Sequence, residues 1–250
     1  SVYEGNETAT IAISSVTGEA SESGTQAVTI TITENESAPT VTLYVKKDGL
    51  GYEYASTWIN ENDSSTSLII EAKLSGATDE DVTVALSTSG TATEGTDYTD
   101  GSGNLDDITI SAGSTTGSTN FIVSDDSVYE GDETATIAIS SVSGGSATES
   151  GSQSATITIR DNEIAGSVTL TVSATSIAEN AGTSLTITAT LSSTSDEDVT
   201  VALSTSGTAT EGTDYTDGSG AIDDITISAG ATTGTVNFTP TDDSVYEGNE

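Results

Sequence analysis

The chain has 250 residues and a formal net charge of −36, from 40 Asp and Glu against four Lys and Arg. Nucleic acid is excluded as a partner, because binding it requires bases to neutralise phosphates; anionic membrane surfaces would repel the chain, and small cations are its natural partners. With no Cys and no His, disulfides, Cys/His zinc sites and Ser-His-Asp or Cys-His catalytic centres are excluded.

An acidic chain with 4% aromatics has the composition of a disordered segment. Its apolar residues nevertheless alternate strictly in short runs, which marks half-buried strands, and Gly, Ser, Asp and Asn clusters separate those runs. No apolar run reaches membrane-spanning length, and no segment reads as a helix of useful length. The predicted class is all-β.

In chain order, residues 1–38 hold "SVYEGNETATIAIS" and "TITITENE", read as the last strands of a preceding module. Residues 39–163 read as one complete module. It carries an insertion near 46–58, inside "VKKDGLGYEYASTWINEN" (Val45–Asn62), where the next repeat has the shorter "VSATSIAEN" (Val172–Asn180). Within it, "SLIIEAKL" puts Leu68, Ile70, Ala72 and Leu74 on one face, and "DVTVAL" does so for Val82, Val84 and Leu86. "ATIAIS" turns Ala135, Ile137 and Ile139 inward, and "ATITIR" turns Ala155, Ile157 and Ile159 inward. Residues 164–250 repeat the pattern without the last strands: "VTVALSTSGTATEGTDYTDGSG" at Val199–Gly220 matches Val82–Gly103 nearly whole, and "SVYEG" begins at positions 1, 127 and 244. About seven strands per repeat suit a two-sheet antiparallel sandwich, and tandem copies suit an extended array.

The acids concentrate where strands end: Glu61 in "INENDSS", Glu94 and Asp97 in "GTATEGTDYT", five acids in "SDDSVYEGDE", and Asp161 and Glu163 in "RDNE". Loops at one end of a sandwich converge although distant in sequence. Converging carboxylates repel one another unless a hard divalent cation binds them, and calcium accepts roughly six to eight oxygens in flexible geometry. Neither an EF-hand spacing nor a Gly-Gly-x-Gly-x-Asp array is present. An acidic loop in an acidic protein is usually only solvated, but here the second repeat keeps most of the same acids, with Glu179, Glu211, Asp214, Asp242, Asp243, Glu247 and Glu250 in place of Glu61, Glu94, Asp97, Asp125, Asp126, Glu130 and Glu133.

The ordered series "GTATEGTDYT", "ITISAGSTTG", "DDSVYEGDETATIAISSV", "ATITIRDNE" resembles the Calx-beta family, modules found in sodium–calcium exchangers, integrin β4 and large bacterial surface proteins. The resemblance spans essentially the whole chain. It implies immunoglobulin-like sandwiches of about seven strands with Ca2+, several ions per module, at the distal end of each. Carried over position by position, it implies that Glu61, Asp97, Asp125, Asp126, the carbonyl of Val128, Glu130, Glu133, Asp161, Asn162 and Glu163 are ligands in the complete module. In the second module it implies Glu179, Asp214, Asp242, Asp243, Val245, Glu247 and Glu250, and in the first fragment Glu4, Glu7, Glu34, Asn35 and Glu36. The family often ends on three consecutive Asp. Here the ends are "ENE" and "DNE", so a neutral Asn stands where the family often has the middle Asp.

Other features have plainer readings. Tyr98, Tyr129 and Tyr215 are expected to pack at the sandwich ends, and Asp106 and Asp107 to be solvated surface. The insertion gathers Lys46, Lys47, Tyr52, Tyr54 and Trp58, read either as a longer hairpin or as a contact site for a partner or a neighbouring copy. Carboxylates in small repeated loops, without a cleft-forming insertion, are not expected to form an enzyme active site. The expected function is a structural or adhesive segment of a long extracellular repeat protein or microbial surface fibre, with calcium stiffening and docking the modules. The alternatives are a calcium-responsive module for a surface ligand and a filament subunit assembled by strand donation between chains. Expected partners are neighbouring modules or copies of the chain.

Overall fold

The computed structural model describes residues 2–47, 53–54, 56–63, 67–244 and 248. The chain divides into two compact units, Ser1–Asp125 with Asp132–Arg160, and Asp126–Gly131 with Asp161–Glu250. The described elements are all strands, as the alternation requires.

The first unit opens with β1 (Val2–Tyr3), β2 (Glu7–Ala12) and β3 (Ala27–Ile32), then β4 (Thr40–Lys47), β5 (Glu53–Tyr54), β6 (Ser56–Asn60), β7 (Leu68–Leu74) and β8 (Ala77–Thr78). It continues with β9 (Val82–Gly90), β10 (Tyr98–Thr99), β11 (Ile108–Ile110), β12 (Thr116–Val123), β13 (Glu133–Ser143), β14 (Thr148–Glu149) and β15 (Ser154–Arg160). One sheet runs β10-β12-β7-β4-β14, with β5 also on β4; the other runs β11-β9-β13-β15-β6. A single core draws from both, with Val41 and Ile70 from the first sheet and Val84 and Ile137 from the second, all fully buried. The inward residues of β7, Leu68, Ile70, Ala72 and Leu74, are all buried while Lys73 between them is exposed. The two sheets are mainly antiparallel, but β6 joins β15 and β14 joins β4 in parallel. Around the insertion, β5 pairs antiparallel with β4 while β6 lies on the opposite sheet.

In the second unit, β16 (Val168–Val172), β17 (Leu185–Leu191), β21 (Thr233–Pro240) and β19 (Tyr215–Thr216) form one sheet in that order, and β18 (Val199–Val201) pairs with β20 (Ile225–Ile227). Its buried cluster is smaller, built on Ala189, Leu191, Ile225 and Ile227. No helix among the described residues is long and apolar enough to cross a membrane.

Candidate metal centre

The "SVYEG" phrase forms a tight loop held by one carboxylate. In the second unit, Asp161 Oδ2 accepts the N–H of Glu130 at 2.8 Å and of Gly131 at 2.6 Å, while Oδ1 accepts the N–H of Glu163 at 2.7 Å. Gly131 has φ 76°, a conformation glycine adopts without the Cβ penalty of other residues. Burial pushes the Asp161 carboxyl up, but the N–H donors of Glu163, Gly131 and Glu130 outweigh it and hold the group below the ordinary Asp range. Asp126 Oδ1 accepts the Val128 N–H at 2.7 Å, closing the turn that leads into the loop. Tyr129 then lies alongside Ser195 and donates its N–H to the Thr194 carbonyl at 3.1 Å.

The amino-terminal copy is built alike in the first unit. Glu34 Oε2 accepts the N–H of Glu4 at 2.6 Å and of Gly5 at 2.9 Å, and Gly5 has φ 75°. Its other oxygen accepts the N–H of Asn35 and Glu36. These donors, led by Glu4, lower its pKa to about 2. Tyr3 pairs with Thr78, and the Asp79 N–H donates to the Tyr3 carbonyl at 3.3 Å. Asp161 and Glu34 are thus anions stabilised by convergent backbone donors.

Within the first unit, Asp97 and Glu133 bring carboxylate oxygens within 4.8 Å of each other. Asp97 stands just before β10 and accepts the Thr93 N–H at 2.5 Å; Glu133 opens β13. Glu61 follows β6, is 4% exposed, and donates its N–H to the Arg160 carbonyl at 2.9 Å. A carboxylate this buried must be met by donors or a cation to remain charged. Asp125 is exposed.

Within the second unit, Asp161 and Glu163 bring oxygens within 4.8 Å, and Asn162 Nδ2 donates to Glu163 Oε1 at 2.8 Å. In the repeat, Glu179 Oε1 accepts the Asp243 N–H at 3.0 Å and Asp214 Oδ2 accepts the Thr210 N–H at 2.6 Å, while Asp242 is exposed. Val245, Glu247 and Glu250 lie outside the described residues. In the first fragment Glu7 begins β2 and pairs with Ile32 across the hairpin, and Glu34 is the hub of the loop. The donor set is all oxygen and mostly anionic, which fits a hard divalent cation.

Some polar residues have roles that the sequence did not indicate. Asp107 is not merely solvated: its Oδ1 accepts the Leu86 N–H at 3.0 Å, and Asp224 does the same for Leu203 at 2.9 Å. Glu94 braces its loop, accepting from Thr88 Oγ1 and from the Leu105 N–H, and Glu211 repeats this with Thr205 and Ile222. The recurrence of both arrangements was the available signal. Tyr98 and Tyr215 stack on Phe121 and Phe238, with ring centroids 4.6 and 4.5 Å apart, so both serve packing.

In the insertion, Lys46 Nζ bonds Glu71 at 2.5 Å. Trp58 is 43% exposed, with Arg160 Cζ 4.0 Å and Lys47 Nζ 4.8 Å from its ring centroid. Tyr52 lies outside the described residues, and the backbone of Tyr54 pairs with Val45.

Repeated all-β units with carboxylate-rich loops at their strand ends define a class of acidic sandwich module. The Calx-beta domain model matches residues 45–163 and 161–250. The chain belongs to the Calx-beta family. Among solved structures, CBD12 from CALX1.2 is similar at 22% identity, over 82% of this chain and 76% of that one, with a TM-score of 0.39. The calcium binding domain CBD12 of CALX1.1 is similar at 23% identity, over 75% of this chain and 73% of that one, with a TM-score of 0.37. A two-domain protein of unknown function from Bacteroides fragilis is similar at 11% identity, over 80% of this chain and 84% of that one, with a TM-score of 0.33. No curated protein matches the chain.

Proposed function

We propose that this protein is a calcium-binding scaffold: a segment of an extracellular array whose loops take up Ca2+ and thereby stiffen it. The observation that carries the reading is the pairing of carboxylate oxygens within 4.8 Å, Asp97 with Glu133 in the first unit and Asp161 with Glu163 in the second. Such pairs repel one another in a chain of charge −36, and a divalent cation relieves that repulsion. The proposed ligands of the complete module are Glu61, Asp97, Asp125, Asp126, Glu130, Glu133, Asp161 and Glu163, with the Val128 carbonyl; Asn162 contributes at most a neutral oxygen. Family membership supports the reading, as does the absence of His and Cys, which leaves hard cations favoured over soft ones. Its role is mechanical, in adhesion or a microbial surface fibre, and not catalytic.

Equilibrium dialysis against radioactive calcium tests the ligand set. Glu133→Gln and Asp97→Asn should each lower affinity about tenfold or more, in proportion to the charge-assisted contact removed. Unchanged binding in both would remove these two residues from the site.

A second reading is favoured by Trp58. An exposed indole is flanked by Lys47 and Arg160, two of the four bases in the sequence, and aromatics with bases anchor interfaces. In that reading the calcium-loaded module also presents this patch to an acidic surface ligand.

A further inference from the structure

Three side chains of the first unit depart from the internal repeat and meet at one point. Aligned on the repeat, Lys47, Trp58 and Arg160 stand where other copies have Ala174, Ser176 and Thr33. Lys47 ends β4, Trp58 lies in β6 and Arg160 ends β15, so they come from distant parts of the sequence. The parallel register of β6 on β15 sets Thr158 beside Trp58, with Arg160 two places further on. Arg160 Cζ lies over the indole, 4.0 Å from its ring centroid, and Lys47 Nζ lies 4.8 Å from it. Trp58 nevertheless stays 43% exposed. Among the described residues neither of these bases has a carboxylate partner, whereas Lys46 is paired with Glu71.

The outer face of the sheet beside them carries hydroxyls and no acid. Strands β11, β9, β13, β15 and β6 contain a single carboxylate, Glu133, and it faces Ile159 in the inward row. Outward, Thr158 faces Thr134, Thr156 faces Thr136, and Thr136 faces Ser89 in turn. The Thr136 and Thr156 hydroxyls lie 3.1 Å apart. In a chain of charge −36 such a surface is an exception. Charges farther than about 8 Å are largely screened at physiological salt, so the net charge does not by itself exclude an anion here.

We infer that Trp58, Arg160 and Lys47 form a binding site for an acidic sugar, a hexuronate unit of a polysaccharide. Each part of the patch meets one part of that ligand. The indole takes the apolar C–H face of a pyranose ring. The guanidinium and ammonium meet the sugar carboxylate, which an Arg can hold through two parallel hydrogen bonds. The Thr134 and Thr158 hydroxyls, able both to donate and to accept, bond the sugar hydroxyls. The two cations also hold the indole in place, so less freedom is lost on binding. An acidic peptide would anchor by inserting side chains into pockets; the outer face of a sheet suits a ring that lies flat on it. The inference deepens the surface-ligand reading of Trp58 and rests on it, but not on calcium in the loops.

Trp58 is the chain's single Trp, so indole fluorescence reports on this site alone. The test titrates the intact chain, in calcium, with short oligomers of galacturonic acid, their methyl esters and oligoglutamate. Saturable change in the indole emission is expected with the galacturonate oligomers, and a response at least about tenfold weaker with the uncharged esters and with oligoglutamate. Arg160→Gln should weaken galacturonate binding about tenfold by fluorescence, and Trp58→Ala about tenfold or more by calorimetry. Both side chains lie outside the buried core, so the melting of either variant should match that of the unaltered chain. Equal responses to oligoglutamate and galacturonate would overturn the sugar assignment and leave an acidic ligand standing. No indole response to any probe would overturn both. Galacturonate binding that persists undiminished in Trp58→Ala would place the contact elsewhere, as calcium bridging to the acidic loops would, and would also overturn the inference.

Discussion

Asp161 Oδ2 lies 2.6 Å from the Gly131 nitrogen, and Glu34 Oε2 lies 2.9 Å from the Gly5 nitrogen. One acid thus closes the same glycine loop in both copies, and in each it stands just after a later strand, Glu34 after β3 and Asp161 after β15. The acid differs in length between copies, so it is the anion at this point that the loop requires. Asp161→Ala leaves the N–H groups of Glu130, Gly131 and Glu163 without their acceptor. Each partner so orphaned costs about 1–3 kcal/mol when buried, less where water can enter. Asp161→Ala should therefore lower the melting temperature in calorimetry and weaken calcium binding. An unaltered melting curve would show that the loop holds itself.

Two turns make the acid limb of stability predictable. Asp100 is held below the ordinary Asp range first by the Ser102 N–H and hydroxyl, and Asp217 in the same way by Ser219. A depressed folded-state pKa stabilises the fold above the unfolded value of about 3.9, and that contribution is lost as pH falls through the folded value. With chelator present, stability should decline from about pH 4 downward. Asp100→Asn with Asp217→Asn keeps an acceptor oxygen but removes the titration, so its decline should be shallower. Parallel acid denaturation curves would exclude these turns as contributors.

Close approach of the two sheets gives a third prediction. A Cβ on Gly117 would lie 2.5 Å from the Thr109 carbonyl oxygen and 2.9 Å from Ile108 Cγ2, and one on Gly234 would meet Thr226 and Ile225 in the same way. Both obstacles include backbone, so neither can yield by a rotamer change. Gly117→Ala should cost about 1–3 kcal/mol, the usual penalty of overpacking, read from the urea midpoint of the full chain. A shift under about 0.5 kcal/mol would mean that β11 can move away from β12.

The strands were legible because burial follows a period of two: Leu68, Ile70, Ala72 and Leu74 needed no partner to announce their face. The partner itself was not legible. Ile11 and Ile137 sit in the same phrase, and the β9 strand beside Ile137 and the opposite sheet packed over it make one buried while the other is exposed. Asp107 was unreadable for a related reason, since its acceptor role depends on the β9–β11 register that brings it to the Leu86 N–H. The acidic loops were visible as composition. Which acid accepts backbone donors, as Asp161 and Glu34 do, follows from loop geometry that spacing alone does not encode.

Calcium dependence of thermal stability tests the central claim most directly. A ligand that binds only the folded state raises stability with its concentration, by about 2.7 kcal/mol at a hundred times its dissociation constant. Calorimetry of the intact chain should therefore show a melting temperature that climbs with calcium over several decades, returns to baseline with chelator, and responds less in Glu133→Gln. Identical melting in saturating calcium and in chelator would contradict the account, because carboxylates held this close would then owe nothing to a cation.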